Sequence, residues 1–254
     1  MALRRFVALG DSFTEGVGDA DPTRPNGVRG WADRVAEELA RLDPEVGYAN
    51  LAIRGKKLPQ VLDEQLDRAL ALEPDLVTLY AGANDILRPK VDIDALVTRY
   101  DEAVGRLAAT GAVVVLFTAF DPGGFPLFGA MRGRFAIYNE LVREVAERHR
   151  TRLVDFWRLR EYRDARMWDV DRMHMATPGH QRMAIAVLDV LGIDHALVPL
   201  ELPVVPERSR REARAENLDW VKAHAAPWVR RRLTGTSSGD ALEPRYAVLR
   251  RPSS

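Results

Sequence analysis

Five short apolar runs punctuate most of the chain: RFVALG (5–10), GYANLAI (47–53), DLVTLYAG (75–82), AVVVLFTAF (112–120) and RLVDFW (152–157). Several are almost continuously apolar, the pattern of strands covered on both faces rather than on one. Between them the period changes. In WADRVAEELARL, Trp31, Val35, Leu39 and Leu42 recur every three or four residues, so one stripe is apolar and the opposite side carries charge. LPQVLDEQLDRAL (58–70) and IDALVTRYDEAVGRLAATG (93–111) repeat that pattern, the second ending at Gly111, where a C-terminal cap belongs. TPGHQRMAIAVLDVLG (177–192) begins with Thr177 as N-cap and Pro178 at the first helical position, and it stops at Gly192. Strand and helix therefore alternate from about residue 5 to about 192. The alternation predicts an α/β domain over residues 1–194, with a parallel sheet of five strands sandwiched between helices.

Residues 195–254 are different in kind. Pro199, Pro203, Pro206, Pro227, Pro244 and Pro252 break the segment, a helix is expected over RREARAENLDWVKAHA (210–225), and RRRLTGTSSGD (230–240) is rich in turn formers. Eleven basic residues stand against seven acidic ones there, and a basic tail could touch nucleic acid or acidic lipid. Its interspersed acids, with Trp220 and Trp228, suit an appendage packed on the domain better. The expectation is a Pro/Arg-rich C-terminal extension, with no nucleic-acid partner.

Composition narrows the class only slightly. The 254 residues carry 37 basic and 37 acidic side chains, an ordinary soluble balance. With no cysteine, disulfides, thiolate metal sites and cysteine nucleophiles are excluded, and a reducing compartment is consistent with the chain. The opening MALRRFVALG has too brief an apolar run for a signal core and lacks a small-residue cleavage site. The longest apolar run, 112–120, falls far short of the ~20 residues of a membrane-spanning helix. A cytoplasmic protein without stable membrane insertion is expected.

In an open parallel sheet, reacting groups collect beyond the carboxyl ends of the strands. Those ends offer Gly10-Asp11-Ser12 after the first strand, Gly55 in RGKK after the second, AGANDI with Asn84 and Asp85 after the third, and the loop MWDVDRMHMATPGH with Asp171 and His174 after the fifth. Singly, each has an ordinary reading. Gly-Asp-Ser is a common turn, Asn84-Asp85 suits a helix cap, and an Asp-x-x-His pair arises by chance in a chain with five histidines. His149 and His224 read as solvated surface positions, and His180 as structural. Together they supply a set of parts: a serine hydroxyl, a base to take its proton, a carboxylate to orient the base, and donors for an oxyanion. Ser12, His174 and Asp171 fill the first three roles. The backbone amides of Ser12 and Gly55 and the side chain of Asn84 fill the last.

The blocks GDSFTEG, Gly55, GAND and DRMH, in that order, resemble the four blocks of the SGNH/GDSL hydrolases over about residues 5–192. The resemblance implies a flavodoxin-like three-layer α/β/α fold and a serine esterase that needs no metal or organic cofactor. It places the nucleophile at Ser12, the oxyanion hole at Ser12, Gly55 and Asn84, and the triad partners at Asp171 and His174. One position departs from the pattern, since Ala176 stands where relatives often carry asparagine. Asp11 is expected to brace the loop rather than move protons. The rival from another class is a flavodoxin-like nucleotide- or flavin-binding module, although GDSFTEGVG lacks the Lys-Ser/Thr ending of a phosphate cradle. An acyltransferase on the same site is a further alternative. For the hydrolase, the expected substrate is a small-molecule ester of short to medium acyl length. The apolar side chains of the loop FDPGGFPLFGAM (120–131) either fold back to cap the sheet edge or wall the acyl pocket, with Phe125 and Phe128 as substrate-binding residues in the second case.

Overall fold

β1 (Arg5–Gly10) lies at the centre of the sheet, paired in parallel with β2 (Gly47–Asn50) on one side and β3 (Leu76–Tyr80) on the other. β4 (Val113–Phe117) and β5 (Arg152–Val154) continue in parallel beyond β3. This computed structural model describes residues 3–124, 128–204, 209–227, 230 and 236–252. Burial of both strand faces follows the continuous apolar runs: all five residues of β3 are buried.

The sheet has six strands, not five, in the order β5-β4-β3-β1-β2-β6. The five parallel strands are those the alternation predicts. The sixth, β6 (Tyr246–Arg250), comes from the C-terminal extension and runs antiparallel along β2. Without it β2 would be an edge strand with unpaired N–H and C=O groups, the feature native sheets tend to cover. Its sequence, YAVLR, is too short and too basic at its end to stand out as a strand.

Helices cover both faces. α2 (Trp31–Leu42) and α8 (Thr177–Leu191) pack on one side, with Trp31, Val35, Met183 and Val187 in the core beneath them. On the other lie α3 (Leu58–Val61), which runs through a π-helical turn (Leu62–Leu66) into α4 (Asp67–Ala71), then α6 (Ile93–Ala108) and α7 (Arg132–Arg148). Of the stripe expected on α2, Trp31, Val35 and Leu39 are buried while Leu42, in the last turn, is exposed. Two local expectations change. RLVDFW is strand only as far as Val154, and Phe156–Arg158 forms a 3-10 turn. Thr177 is the first residue of α8 and Ala176 its N-cap; the Thr177 hydroxyl donates to Asp19 Oδ1 at 2.7 Å instead of capping.

Candidate active site

The apolar run of β1 ends where the backbone must turn sharply. Gly10 has φ +150° and sits against the Tyr80 carbonyl, where a Cβ would clash. The buried Gln65 side chain accepts from Gly10 N at 2.8 Å and donates to Gly10 O at 2.9 Å, pinning the strand end. Asp11 then caps the single-turn helix α1 (Ser12–Glu15), accepting from Phe13 N at 3.1 Å, and Ser12 is the first residue of that turn. At the far end of α1 the fully buried Glu15 accepts from Arg54 N at 2.6 Å and Arg54 Nη2 at 2.7 Å. The serine turn and the Gly55 loop are thus tied together by one carboxylate. Among the described residues, the backbone N–H groups of Ser12 and Gly55 donate to no protein acceptor.

Asn84 lies on α5 (Ala83–Ile86), directly after β3. Its amide nitrogen donates to Asp11 Oδ2 at 3.0 Å and to the Lys56 carbonyl at 3.1 Å. Asn84 therefore bridges the Ser12 turn and the loop that carries Gly55, and both of its amide hydrogens have acceptors in this state. Its neighbour Asp85 is buried and accepts from Leu58 N at 2.8 Å, which holds the start of α3 against α5. Burial pushes the Asp11 carboxyl up to about 7, against the hydrogen bonds it accepts and the nearby charge of His174. Asp11 is thus a brace that links two loops.

Asp171 and His174 share the loop before α8. Asp169 N donates to the His174 carbonyl at 2.8 Å, and Trp168 and Met175 form an antiparallel bridge, so the loop is a closed hairpin-like turn. Asp171 Oδ1 accepts from the backbone N–H groups of Met173 (2.9 Å) and His174 (3.0 Å), and Oδ2 lies 2.6 Å from His174 Nδ1. Burial would raise the Asp171 carboxyl, but the hydrogen bond and charge of His174 and the two backbone donors outweigh it and hold it at about 2. An ionised carboxylate can only accept, so Nδ1 carries a proton, and in the neutral imidazole the lone pair is then on Nε2.

Two adjoining lobes share Ser12, Asn84 and His174. One is apolar and small, about 90 Å³, walled by Phe13, Phe120, Phe128, Phe156, Trp168 and Met175 among others. The other, about 270 Å³, is polar and takes in Gly55, Asp171, Arg54, Arg88 and Thr236–Ser238 of the extension. All five residues expected at the site are therefore brought to one cavity. Phe128 is buried beside Phe120, with ring centroids 6.4 Å apart. Phe125 lies outside the described residues.

Sequence reasoning missed the aromatic wall from Phe13, Phe156 and Trp168, because nothing in their spacing marks them as cavity lining. It also missed the extension's share of the site, since Thr236–Ser238 looked like a plain turn. Ser237 Oγ donates to the Arg54 carbonyl at 3.1 Å, beside Gly55, and Trp220 Nε1 donates to the Asp171 carbonyl at 3.1 Å. His180 is structural, fully buried between Trp31 N (3.2 Å) and the Val17 carbonyl (3.1 Å). His149 is only half-buried but pairs with Asp101 at 2.7 Å rather than standing free in solvent. Among the described residues no three His, Cys, Asp or Glu side chains gather as a cation site, and no helix is long and apolar enough to cross a membrane.

Comparison with known proteins bears on the family and the fold. The model of the GDSL-like lipase/acylhydrolase family matches residues 8–182, a stretch that includes Ser12, Gly55, Asn84, Asp171 and His174 and ends before the extension. Among solved structures, an α/β hydrolase enzyme from the metagenome of Lake Arreo, Spain, is 27% identical, with 74% of this chain and 95% of that one aligned at a TM-score of 0.61. An acetylxylan esterase from Geobacillus stearothermophilus is 24% identical over 76% of this chain and 98% of its own, also at 0.61. TesA, at 23% identity, covers 74% of this chain and 97% of its own at the same TM-score. The last two likenesses speak for the fold alone. No curated protein sequence matches. Since the family match spans more than half of its length, the chain belongs to the GDSL-like lipase/acylhydrolase family and is a serine ester hydrolase.

Proposed function

We propose that the enzyme hydrolyses carboxylic esters of short to medium acyl length through an acyl-enzyme on Ser12. His174 acts as general base and acid, and Asp171 orients it. His174 Nε2 takes the Ser12 proton as Oγ attacks the ester carbonyl, and the resulting oxyanion is met by the N–H groups of Ser12 and Gly55. Asn84 supplies a third donor by releasing either Asp11 or the Lys56 carbonyl. As the intermediate collapses, the alcohol leaves with the proton held on Nε2, and water then repeats the sequence on the acyl-enzyme. The observation that carries this reading is the 2.6 Å contact between Asp171 and His174 Nδ1, at a cavity that Ser12 also lines. It leaves Nε2 as the basic nitrogen.

The apolar lobe supports the acyl length proposed. Its small volume, closed by Phe128 and Trp168, suits a short chain. A fluorophosphonate probe should label Ser12, and Ser12→Ala should abolish both labelling and ester hydrolysis with the thermal transition retained. Labelling elsewhere, or full activity in the alanine variant, would refute the triad. Phe128→Ala should move the optimum of an acyl-chain series to longer esters while probe labelling persists. An unchanged optimum with a lowered Tm would make Phe128 core, not pocket.

A further inference from the structure

Two lobes flank Ser12, and only one is suited to an acyl chain. The second is polar, and its charged groups are almost all matched. Arg54 is paired with Glu15 at 2.7 Å, and Asp171 with His174 at 2.6 Å. Arg88 is the exception: among the described residues it has no carboxylate within 4.0 Å, although it is half-buried. One nitrogen, Nη1, donates to the Asn84 carbonyl at 2.6 Å, which anchors the guanidinium one helical turn beyond the oxyanion asparagine. Asp85 lies near enough to feel its charge, but that carboxylate is buried and already accepts from Leu58 N. Arg88 and Thr236–Ser238 of the extension line the same lobe, and no other hydrogen bond from the guanidinium to a described residue accompanies the one to Asn84. An anchored, half-buried guanidinium with spare donors in a cleft is matched by a planar or tetrahedral oxyanion.

We propose that the polar lobe is the subsite for the leaving alcohol, and that Arg88 makes it select esters whose alcohol portion carries an anionic group, a phosphate or a carboxylate. The inference rests on the serine esterase reading above. It follows from the order of bond breaking: the acyl carbon is bonded to Ser12 with its chain in the apolar lobe, so the alcohol oxygen faces the other side, where His174 returns the proton. The acyl C–O bond breaks, the alcohol leaves protonated, and its anionic substituent is what Arg88 holds. The extension supplies part of the lining, at Thr236–Ser238. It lies outside the family match, so this part is an addition to the shared hydrolase unit.

The test compares kcat/KM for pairs of acetyl esters that differ in charge on the alcohol side: acetylglycerol phosphate against acetylglycerol, and para-acetoxybenzoate against its methyl ester. The readout is the anionic-to-neutral ratio in the wild type divided by that ratio in Arg88→Gln. Intrinsic ester reactivity and any general loss from a loosened Asn84 cancel in this quotient. It should be about tenfold for at least one pair, the scale of a charge-assisted hydrogen bond, and carried mainly in KM. Arg88→Lys should keep part of the preference, and added salt should erode it. The pair showing the larger quotient tells phosphate from carboxylate. A quotient near one for both pairs, or a loss in kcat alone that is equal for charged and neutral esters, overturns the subsite and leaves Arg88 as an anchor of the Asn84 loop. Fluorophosphonate labelling of the same wild-type sample separates the two readings: if Ser12 is labelled and the quotient is near one, only the subsite fails.

Discussion

Gly55→Ala probes the junction between the hydrolase unit and its extension. Gly55 has φ +79°, a region that costs an L-residue about 1–2 kcal/mol. An added Cβ would also overlap the Ser237 hydroxyl. Ser237 would have to turn away and give up two hydrogen bonds, one to the Arg54 carbonyl and one from Gly239 N, each at 3.1 Å. A net cost of about 1 kcal/mol for that seat is conservative, so the variant should lose about 2–3 kcal/mol, or roughly 4–12 °C in Tm for a domain of this size. Alanine keeps the N–H proposed to meet the oxyanion, but a turn that shifts to relieve the strain aims it elsewhere, so kcat should fall by up to about 10²-fold, the scale of one lost donor. The decisive measurement is a double-mutant cycle by urea unfolding with Ser237→Gly. That change removes the obstructing hydroxyl, so the double variant should be less damaged than the sum of the singles by about 1 kcal/mol. Additivity within about 0.5 kcal/mol would show that Ser237 is not seated on Gly55, and an unchanged Tm in Gly55→Ala would refute the strained turn itself.

Two further outcomes follow from buried charges elsewhere. Burial lowers His180 to about 4 despite the pull of Asp19, below the ~6.5 of an unfolded imidazole, so the unfolded state binds the proton first and stability is lost as pH falls from ~6.5 toward 4. The loss is about 3 kcal/mol, and it should appear as the difference between wild type and His180→Gln in urea unfolding at neutral and acid pH. That difference removes the opposite contribution of Asp11, and a pH-independent difference would refute a neutral, buried His180. Arg245 is fully buried against Asp33, with contacts of 2.6 and 3.1 Å, and it also donates to the Glu15 and Arg29 carbonyls. Arg245→Met should therefore cost about 3–5 kcal/mol, partly recovered by adding Asp33→Asn; a loss below about 1 kcal/mol would mean that the extension is not anchored there.

The parallel core was legible because its signals are local. A continuous apolar run followed by a glycine marks a buried strand end whichever residues it meets across the sheet, and the amphipathic period of 31–42 needs no partner to be read. The candidate site was legible for a related reason: strand order sends Ser12, Gly55, Asn84 and the Asp171 loop to one edge once the sheet is parallel. What escaped was non-local. β6 shows as a strand only because β2 leaves an edge to fill, and Tyr246–Arg250, a short run ending in arginine, does not announce it. Phe156 and Trp168 are indistinguishable from core aromatics until Phe120 is seen 6.2 and 4.9 Å from them, at the mouth of the apolar lobe. Arg88 carries no mark in the sequence, since the lack of a carboxylate partner cannot be read from a one-dimensional pattern.

The extension bears on the site at both ends of the proposed chemistry. On the histidine side, Trp220 donates to the Asp171 carbonyl, the Arg172 guanidinium stacks over the same indole at 5.0 Å, and Arg172 Nη1 donates to Asn217 at 2.7 Å. On the oxyanion side, Ser237 holds the Arg54 carbonyl, and a Cβ on Gly239 would overlap that same oxygen. Between these contacts, Arg245 reaches the backbone of Glu15, the residue whose carboxylate ties Arg54 to the serine turn. A segment that touched only the sheet edge would affect stability alone. One that holds the Asp171 loop and the Gly55 loop at once would, in the proposed mechanism, set the distance between base and donors, on which proton transfer and oxyanion binding both depend. Damage to these contacts should therefore appear in kcat at temperatures where the fold is still intact.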